Sequence, residues 1–167
     1  FLTRNNKTPL GIYIHVPFCR SKCQYCDFYS VTTKDNRTLD GYLDAICAHI
    51  KEAGALAPGY VVDTIYFGGG TPTFFGADGM ATILNAIRRA FDVDYSAEIT
   101  FEANPDSVSD RLLHRLRAEG FNRVSLGIQS DDNEILKKLG RPHTYDQAVA
   151  AYQRIRKAGF RNISVDL

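Results

Sequence analysis

From Leu10 onward the apolar positions of the chain follow two periods in alternation. Residues 10–16, 61–67, 97–101, 123–128 and 162–167 are short, rich in β-branched or aromatic side chains, and predict strands. Between them the apolar positions fall at helical spacing. The first helix is the clearest, with Leu39, Tyr42, Leu43, Ile46, Cys47 and Ile50 forming one stripe at i, i+3, i+4, i+7, i+8 and i+11. Asp131 with Glu134, and Thr144 with Gln147, have capping-box spacing at the starts of two later helices, and Gly140 fits a helix stop between them. The segments AEGFNRVSLG (118–127) and KAGFRNISVD (157–166) superimpose as helix end, Gly-Phe turn and strand. Repeated βα units of this kind predict an α/β fold with a parallel sheet, a (β/α) barrel or part of one.

The phase of the alternation separates a barrel from a flat sheet. Ile12, Ile14 and Val16 alternate with Gly11, Tyr13 and His15, and Ile99 and Phe101 with Glu98, Thr100 and Glu102. Val124, Leu126 and Ile128, then Ile163, Val165 and Leu167, repeat the pattern. Parallel strands covered on both faces read as continuous apolar runs, so these strands meet helices on one face only. The other face carries Tyr13, Glu98, Glu102, Ser125, Gln129 and Asp166 and is expected to line a polar, ligand-filled concavity. The alternative is a polar face open to solvent on a sheet with helices on one side, which a partial barrel also satisfies. A full barrel takes about 250 residues, and this chain has 167 and five strands. The expected organisation is a lead-in over residues 1–9, then the N-terminal part of a partial barrel over residues 10–167. The rest of the barrel and a C-terminal domain would lie in further sequence, and that sequence or a partner chain would cover the bare sheet edge.

Composition adds exclusions. With 44% hydrophobic and 23% charged residues the chain is neither a disordered tail nor a collagen-like fibre. Twenty Lys+Arg against 19 Asp+Glu leave a formal charge of +1, which offers no electrostatic footprint for nucleic acid or an anionic membrane. No apolar stretch reaches the roughly 18 residues of a membrane helix, and FLTRNNKTPL lacks the apolar core of a signal peptide. A cytoplasmic protein is the resulting expectation.

Three of the four cysteines, Cys19, Cys23 and Cys26, fall within eight residues directly after the first strand, at the rim where (β/α) active sites lie. Such a cluster in a chain of this type reads as metal binding rather than as a disulfide framework. Structural zinc wants four ligands, and here one loop offers three thiols. An iron-sulfur cubane held by three cysteines keeps one iron open to a further ligand. A zinc site recruiting His15 or Cys47 remains an alternative, although Cys47 sits in the apolar stripe of the first helix, where a free cysteine is most often a small buried hydrophobe. His15 has three readings: a hydrogen-bonding residue that orients the loop, a general acid/base, or neither. Gly68, Gly69 and Gly70 match neither a P-loop nor a dinucleotide fingerprint. They are a turn at a strand end, or a place where backbone approaches a ligand closely.

CRSKCQYC has the CxxxCxxC spacing of the radical S-adenosylmethionine enzymes, with the aromatic Tyr25 before the last cysteine. YIHVPFC, FGGGTPT, ITFEANPD, GFNRVSLGIQS, LGRPH and NISVDL resemble, in order and along essentially the whole chain, the oxygen-independent coproporphyrinogen III oxidase family and its heme-chaperone branch. The resemblance implies a 4Fe-4S cluster on Cys19, Cys23 and Cys26. Its open iron would chelate the amino and carboxylate groups of S-adenosylmethionine and reduce the sulfonium to methionine and a 5′-deoxyadenosyl radical. It assigns S-adenosylmethionine contacts to Tyr13, Tyr25, Gly69, Gly70, Thr71, Glu102, Gln129, Arg141 and Asp166. Four of these, Tyr13, Glu102, Gln129 and Asp166, fall on the face that the alternation alone turns inward. Glu102 and Asp166 read as recognition groups for ribose hydroxyls or cations rather than as an acid/base pair, and Arg141 as a partner of the methionine carboxylate. Without the motif, Arg141 reads as a solvated loop cation and Gln129 as an ordinary strand-end amide.

Within the family the oxidases carry a further cysteine two positions after the third cluster ligand. Phe28 stands there in this chain, as in the heme-chaperone branch. The resemblance therefore implies a chaperone that transfers heme to an acceptor protein, with heme as a bound group and a reductant such as flavodoxin. The second reading is the oxidase, acting on a porphyrinogen. An iron-sulfur electron carrier and a zinc-binding module are the readings from outside the family.

Overall fold

The computed structural model describes residues 7–32 and 35–167, so residues 1–6 of the expected lead-in lie outside it. Five strands, β1 (Thr8–Val16), β2 (Tyr60–Gly69), β3 (Val93–Ala103), β4 (Arg123–Gly127) and β5 (Asn162–Asp166), form one sheet. All neighbours are parallel, and spatial order equals chain order. Each crossover therefore steps the same way along the sheet. Right-handed crossovers that never reverse direction put every helix on one face, the winding of a barrel wall rather than of a doubly wound sheet. The expected α/β partial barrel is the observed fold, with β1 and β5 as its edges among the described strands.

Register turns the alternation into rows. Ile14 pairs with Phe67, Phe67 with Phe101, Phe101 with Val124 and Val124 with Ile163, one apolar row across all five strands. One residue earlier the row reads Tyr13, Tyr66, Thr100, Arg123 and Asn162. Because the side-chain period is 2, these rows face opposite sides. The polar side is an ordered layer: Thr100 and Ser125 are buried, Arg123 Nη2 donates to Ser164 Oγ at 3.1 Å, and Arg123 Nη1 lies 3.6 Å from Glu98 Oε1.

Helices α1 (Asn36–Ala55), α2 (Gly76–Ala90), α3 (Asp110–Glu119), α4 (Asn133–Lys138) and α5 (Tyr145–Lys157) connect the strands. The stripe of α1 packs on the core as expected, Cys47 included. In α2 the fully buried Met80, Ile83, Leu84 and Ile87 repeat the same i, i+3, i+4, i+7 spacing. The two Gly-Phe turns behave alike: Gly120 and Gly159 take left-handed φ values of +101° and +94°. Phe121 and Phe160, both buried, pack edge-on against Phe101 at 5.6 and 5.7 Å between ring centroids.

The box of Thr144 and Gln147 caps α5, and Gly140, at φ +75°, follows α4. The cap of α4 is corrected by one residue. Asp132, not Asp131, accepts from the amides of Glu134 and Ile135 at 2.7 and 3.3 Å. The helix starts at Asn133, so Glu134 stands too early to close a capping box. Strand ends shift similarly: β3 begins four residues before the expected 97, and β5 ends at Asp166 rather than Leu167. Among the described residues no helix is long and apolar enough to cross a membrane.

Candidate functional site

The C-terminal ends of the strands converge on a cleft of about 270 Å³, the end at which (β/α) folds bind ligands. One wall is the loop after β1. Its base is closed by the Val31 amide donating to Pro17 O at 2.7 Å and the Cys19 amide donating to Val31 O at 3.1 Å. It is tied to the end of β2 by Gly70 N–H to Val16 O, 2.7 Å, and Thr71 N–H to Phe18 O, 2.8 Å. A Cβ at Gly70 would lie 2.7 Å from Phe18 O, so glycine is required for the strand end and the loop to touch. His15 takes the loop-orienting role: its Nε2–H donates to Tyr29 O at 2.9 Å, leaving Nδ1 to accept from the Tyr13 hydroxyl at 3.0 Å.

Cys19, Cys23 and Cys26 all line the cleft and are free thiols. Burial pushes the Cys19 thiol above its ordinary value; the Thr71 hydroxyl opposes the rise, and the neighbouring Cys26 and Cys23 add to it. Thr71 Oγ1–H points to Cys19 Sγ at 3.8 Å and Arg141 Nη1–H to Cys23 Sγ at 3.6 Å. Among the described residues no three His, Cys, Asp or Glu side chains converge on a single ion. The three thiols instead stand side by side along one wall of the cleft, a disposition that suits a cluster whose irons each take one cysteine. Neither candidate fourth zinc ligand joins them: both His15 nitrogens are engaged, and Cys47 packs against the core from α1.

The opposite wall is built by the strand ends: Gly69 ending β2 with Gly70 and Thr71 beyond it, Glu102 within β3 with Asn104 beyond it, Gly127 ending β4 with Gln129 beyond it, and Asp166 ending β5. Arg141, from the loop between α4 and α5, closes it. Eight of the nine residues assigned to S-adenosylmethionine by resemblance therefore share this cleft with the three cysteines, Tyr25 included. Tyr13 is apart from them. It lies on the same sheet face but outside the cleft lining, 55% exposed and stacked on Tyr66 at 6.2 Å.

Glu102 is held from two sides, by the Tyr66 hydroxyl at 2.9 Å and the Gly69 amide at 3.1 Å. Burial pushes its carboxyl up; those two donors oppose the rise, and Asp166 adds to it. Burial and then Glu102 push Tyr66 up to about 12, so the phenol stays a donor at neutral pH. Gly69 has φ +106°, and a Cβ there would collide with the His15 ring at 2.5 Å. Among the described residues Gln129 is the non-glycine residue in the left-handed region, φ +76°, a conformation that costs an ordinary side chain roughly 1–2 kcal/mol.

Three participants carry no motif signal that singles them out. Asn104 accepts from Arg141 Nη2 at 2.7 Å and donates to Thr71 Oγ1 at 3.1 Å; its Asn-Pro context reads only as a turn. Tyr66 is one aromatic in a strand. His143, in LGRPH, is buried and bonded to Ile128 O. Arg141 Nη2 also donates to Gly127 O at 2.6 Å, while its Nε is buried without a partner among the described residues. Arg141 itself lines the cleft, and a guanidinium there suits an anionic ligand group such as a carboxylate. With three thiols on one wall, an arginine at the rim and a half-buried carboxylate opposite, the cleft fits a cluster together with a zwitterionic, cationic-centred ligand.

The sequence model described as "Radical SAM superfamily" matches residues 13–167. The heme chaperone HemW of Lactococcus lactis subsp. lactis is 38% identical over 159 residues, 95% of this chain and 41% of that protein. HemW of Escherichia coli is 41% identical over 160 residues, 95% of this chain and 42% of that protein. The solved structure of coproporphyrinogen III oxidase (HemN) from Escherichia coli, described as a radical SAM enzyme, superposes with a TM-score of 0.89 at 32% identity, over 97% of this chain and 37% of that one. The chain thus spans about two fifths of the length of the relatives it matches.

Proposed function

Because the chain belongs to the radical S-adenosylmethionine superfamily, we propose that its cleft holds a 4Fe-4S cluster on Cys19, Cys23 and Cys26 with S-adenosylmethionine beside it, and that the protein acts in heme metabolism as a heme chaperone. A cluster held by Cys19, Cys23 and Cys26 would supply the electron that reduces the sulfonium of S-adenosylmethionine. The chain's own residues bind and orient. Arg141 engages the ligand's carboxylate, Glu102 and Asp166 its hydroxyl or cationic groups, and Gly69, Gly70 and Thr71 present backbone close to its ammonium. Tyr25, within the cysteine loop, presents its ring to the cleft, and Tyr13 meets the more distant end of a ligand that extends along the polar face. A one-electron reductant such as flavodoxin, a heme-accepting protein and a cytoplasmic setting complete the reading.

The observation that carries the chaperone branch is Phe28, 60% exposed at the edge of the cleft, in the position where the oxidases of the family have their additional cysteine. The identity to the two HemW proteins, 38% and 41% against 32% to HemN, favours the same branch. Electron paramagnetic resonance of the anaerobically reconstituted, reduced protein tests the shared part: a cluster signal that shifts on adding S-adenosylmethionine is expected, and an indifferent signal overturns it. Incubation with coproporphyrinogen III, S-adenosylmethionine and reductant tests the branch. No protoporphyrinogen IX is expected, with heme taken up and passed to an apo-hemoprotein; turnover to protoporphyrinogen IX establishes the oxidase instead.

A further inference from the structure

The peptide unit between Ile128 and Gln129 is held at both ends. Its N–H donates to Asp166 O at 2.8 Å. Its carbonyl oxygen, Ile128 O, faces His143 Nε2 at 3.1 Å. A carbonyl only accepts, so Nε2 carries the proton and Nδ1 bears the lone pair; that Nδ1 is buried with no partner among the described residues. His143 is 3% exposed and makes this one hydrogen bond from the loop between α4 and α5. Two positions earlier in the same loop, Arg141 holds the preceding carbonyl, Gly127 O. Consecutive carbonyls at the C-terminal end of β4 are thus pinned by one loop that runs along the strand end.

The plane of that peptide sets φ of Gln129, the residue in the left-handed region. In that conformation the Gln129 amide lies over Gly127, where a Cβ would sit 2.9 Å from Gln129 Nε2, 3.3 Å from Arg141 Nη2 and 3.5 Å from Asn104 Oδ1. Glutamine has no intrinsic preference for positive φ, so surrounding bonds must hold it. We propose that His143 is a positioning residue for the ligand cleft: by holding the Ile128 carbonyl it keeps Gln129 in its left-handed conformation, with the side-chain amide at the cleft beside Arg141. This rests on the reading of the cleft as the S-adenosylmethionine site.

The test is calorimetry of S-adenosylmethionine on the cluster-reconstituted protein, paired with amide hydrogen exchange over residues 127–131. His143→Ala raises the dissociation constant about tenfold, the size of one lost buried hydrogen bond. It accelerates exchange at Ile128 and Gln129 and leaves the iron and sulfide content unchanged. His143→Gln, whose side-chain N–H₂ takes the place of Nε2–H, restores affinity and protection; His143→Asn, too short to reach the carbonyl, does not, and serves in place of His143→Ala if that variant fails to fold. In a Gln129→Gly background His143→Ala causes no further loss of affinity. A wild-type protein that assembles its cluster and gives no binding heat overturns the functional reading. Wild-type binding with unaltered affinity in His143→Ala, or no rescue by His143→Gln, overturns the positioning role alone.

Discussion

Arg141 Nη2 and Asn104 Oδ1 meet at 2.7 Å, and that contact links two of the cleft cysteines through side chains from three separate segments. Arg141 reaches Cys23, Asn104 reaches Thr71, and Thr71 reaches Cys19. A side-chain network of this kind stands or falls on full satisfaction. Asn104→Ala leaves one Arg141 N–H without its acceptor and Thr71 Oγ1 without its donor at the cleft wall, with an expected loss of about 1–3 kcal/mol in chemical denaturation. Asn104→Asp keeps the arginine bond, loses the donation to Thr71, and falls between Asn104→Ala and wild type. A change below about 0.5 kcal/mol in Asn104→Ala, the range of an ordinary surface substitution, contradicts the bridging role.

The cysteines divide by place. Cys19→Ala, Cys23→Ala and Cys26→Ala each remove a thiolate from the cleft and are expected to abolish cluster assembly, read as iron and sulfide content and as visible absorption after anaerobic reconstitution. Cys47→Ala, on the core side of α1, keeps the full cluster. Retention of cluster in all three loop variants refutes the ligand assignment.

Glu102 is held by Tyr66 and Gly69; on the proposed reading Glu102→Ala is expected to weaken S-adenosylmethionine binding about tenfold or more, the scale of a hydrogen bond to a charged group, without removing iron. Tyr66→Phe takes away one donor and gives a smaller loss in the same direction. Calorimetry that finds both variants equal to wild type excludes the carboxylate from the binding site.

The pH dependence of stability carries the signature of His143. Burial pushes its pKa below the ordinary histidine value, and the Arg141 charge adds to this; the bond to Ile128 O and the charge of Asp106 oppose it. The unfolded chain then binds the proton first as pH falls. The stability that goes with neutral His143 is complete above about 6.5, and is lost as pH falls below that value towards the depressed folded-state pKa. Urea unfolding between about pH 7 and 5 is expected to fall more steeply for wild type than for His143→Gln. Parallel curves refute the depressed pKa.

Much of this was legible without coordinates because it is local in the chain. Period 2 and period 3.6 are set by successive residues, so the strands, the helix stripes, the inward face and the Gly-Phe turns could all be read from spacing, as could the cysteine loop and the Thr144 cap. The errors were local too: with two adjacent aspartates, Asp131 and Asp132, spacing alone misassigned the cap, and backbone geometry decided for Asp132.

Asn104, Tyr66 and His143 had no such signal, because their roles come from partners far along the chain. Asn104 and Arg141 are 37 residues apart, Tyr66 and Glu102 36, and register and loop packing bring them together. Gly70 likewise meets Phe18 only because the end of β2 lies beside the loop that follows β1. The left-handed turn at Gln129 runs against the preference of its own side chain and is held by Asp166 and His143 from two other segments. Local pattern specifies which face of each strand turns inward; a hydrogen bond between distant segments exists only once parallel pairing has set the register, and the register is a property of the folded sheet.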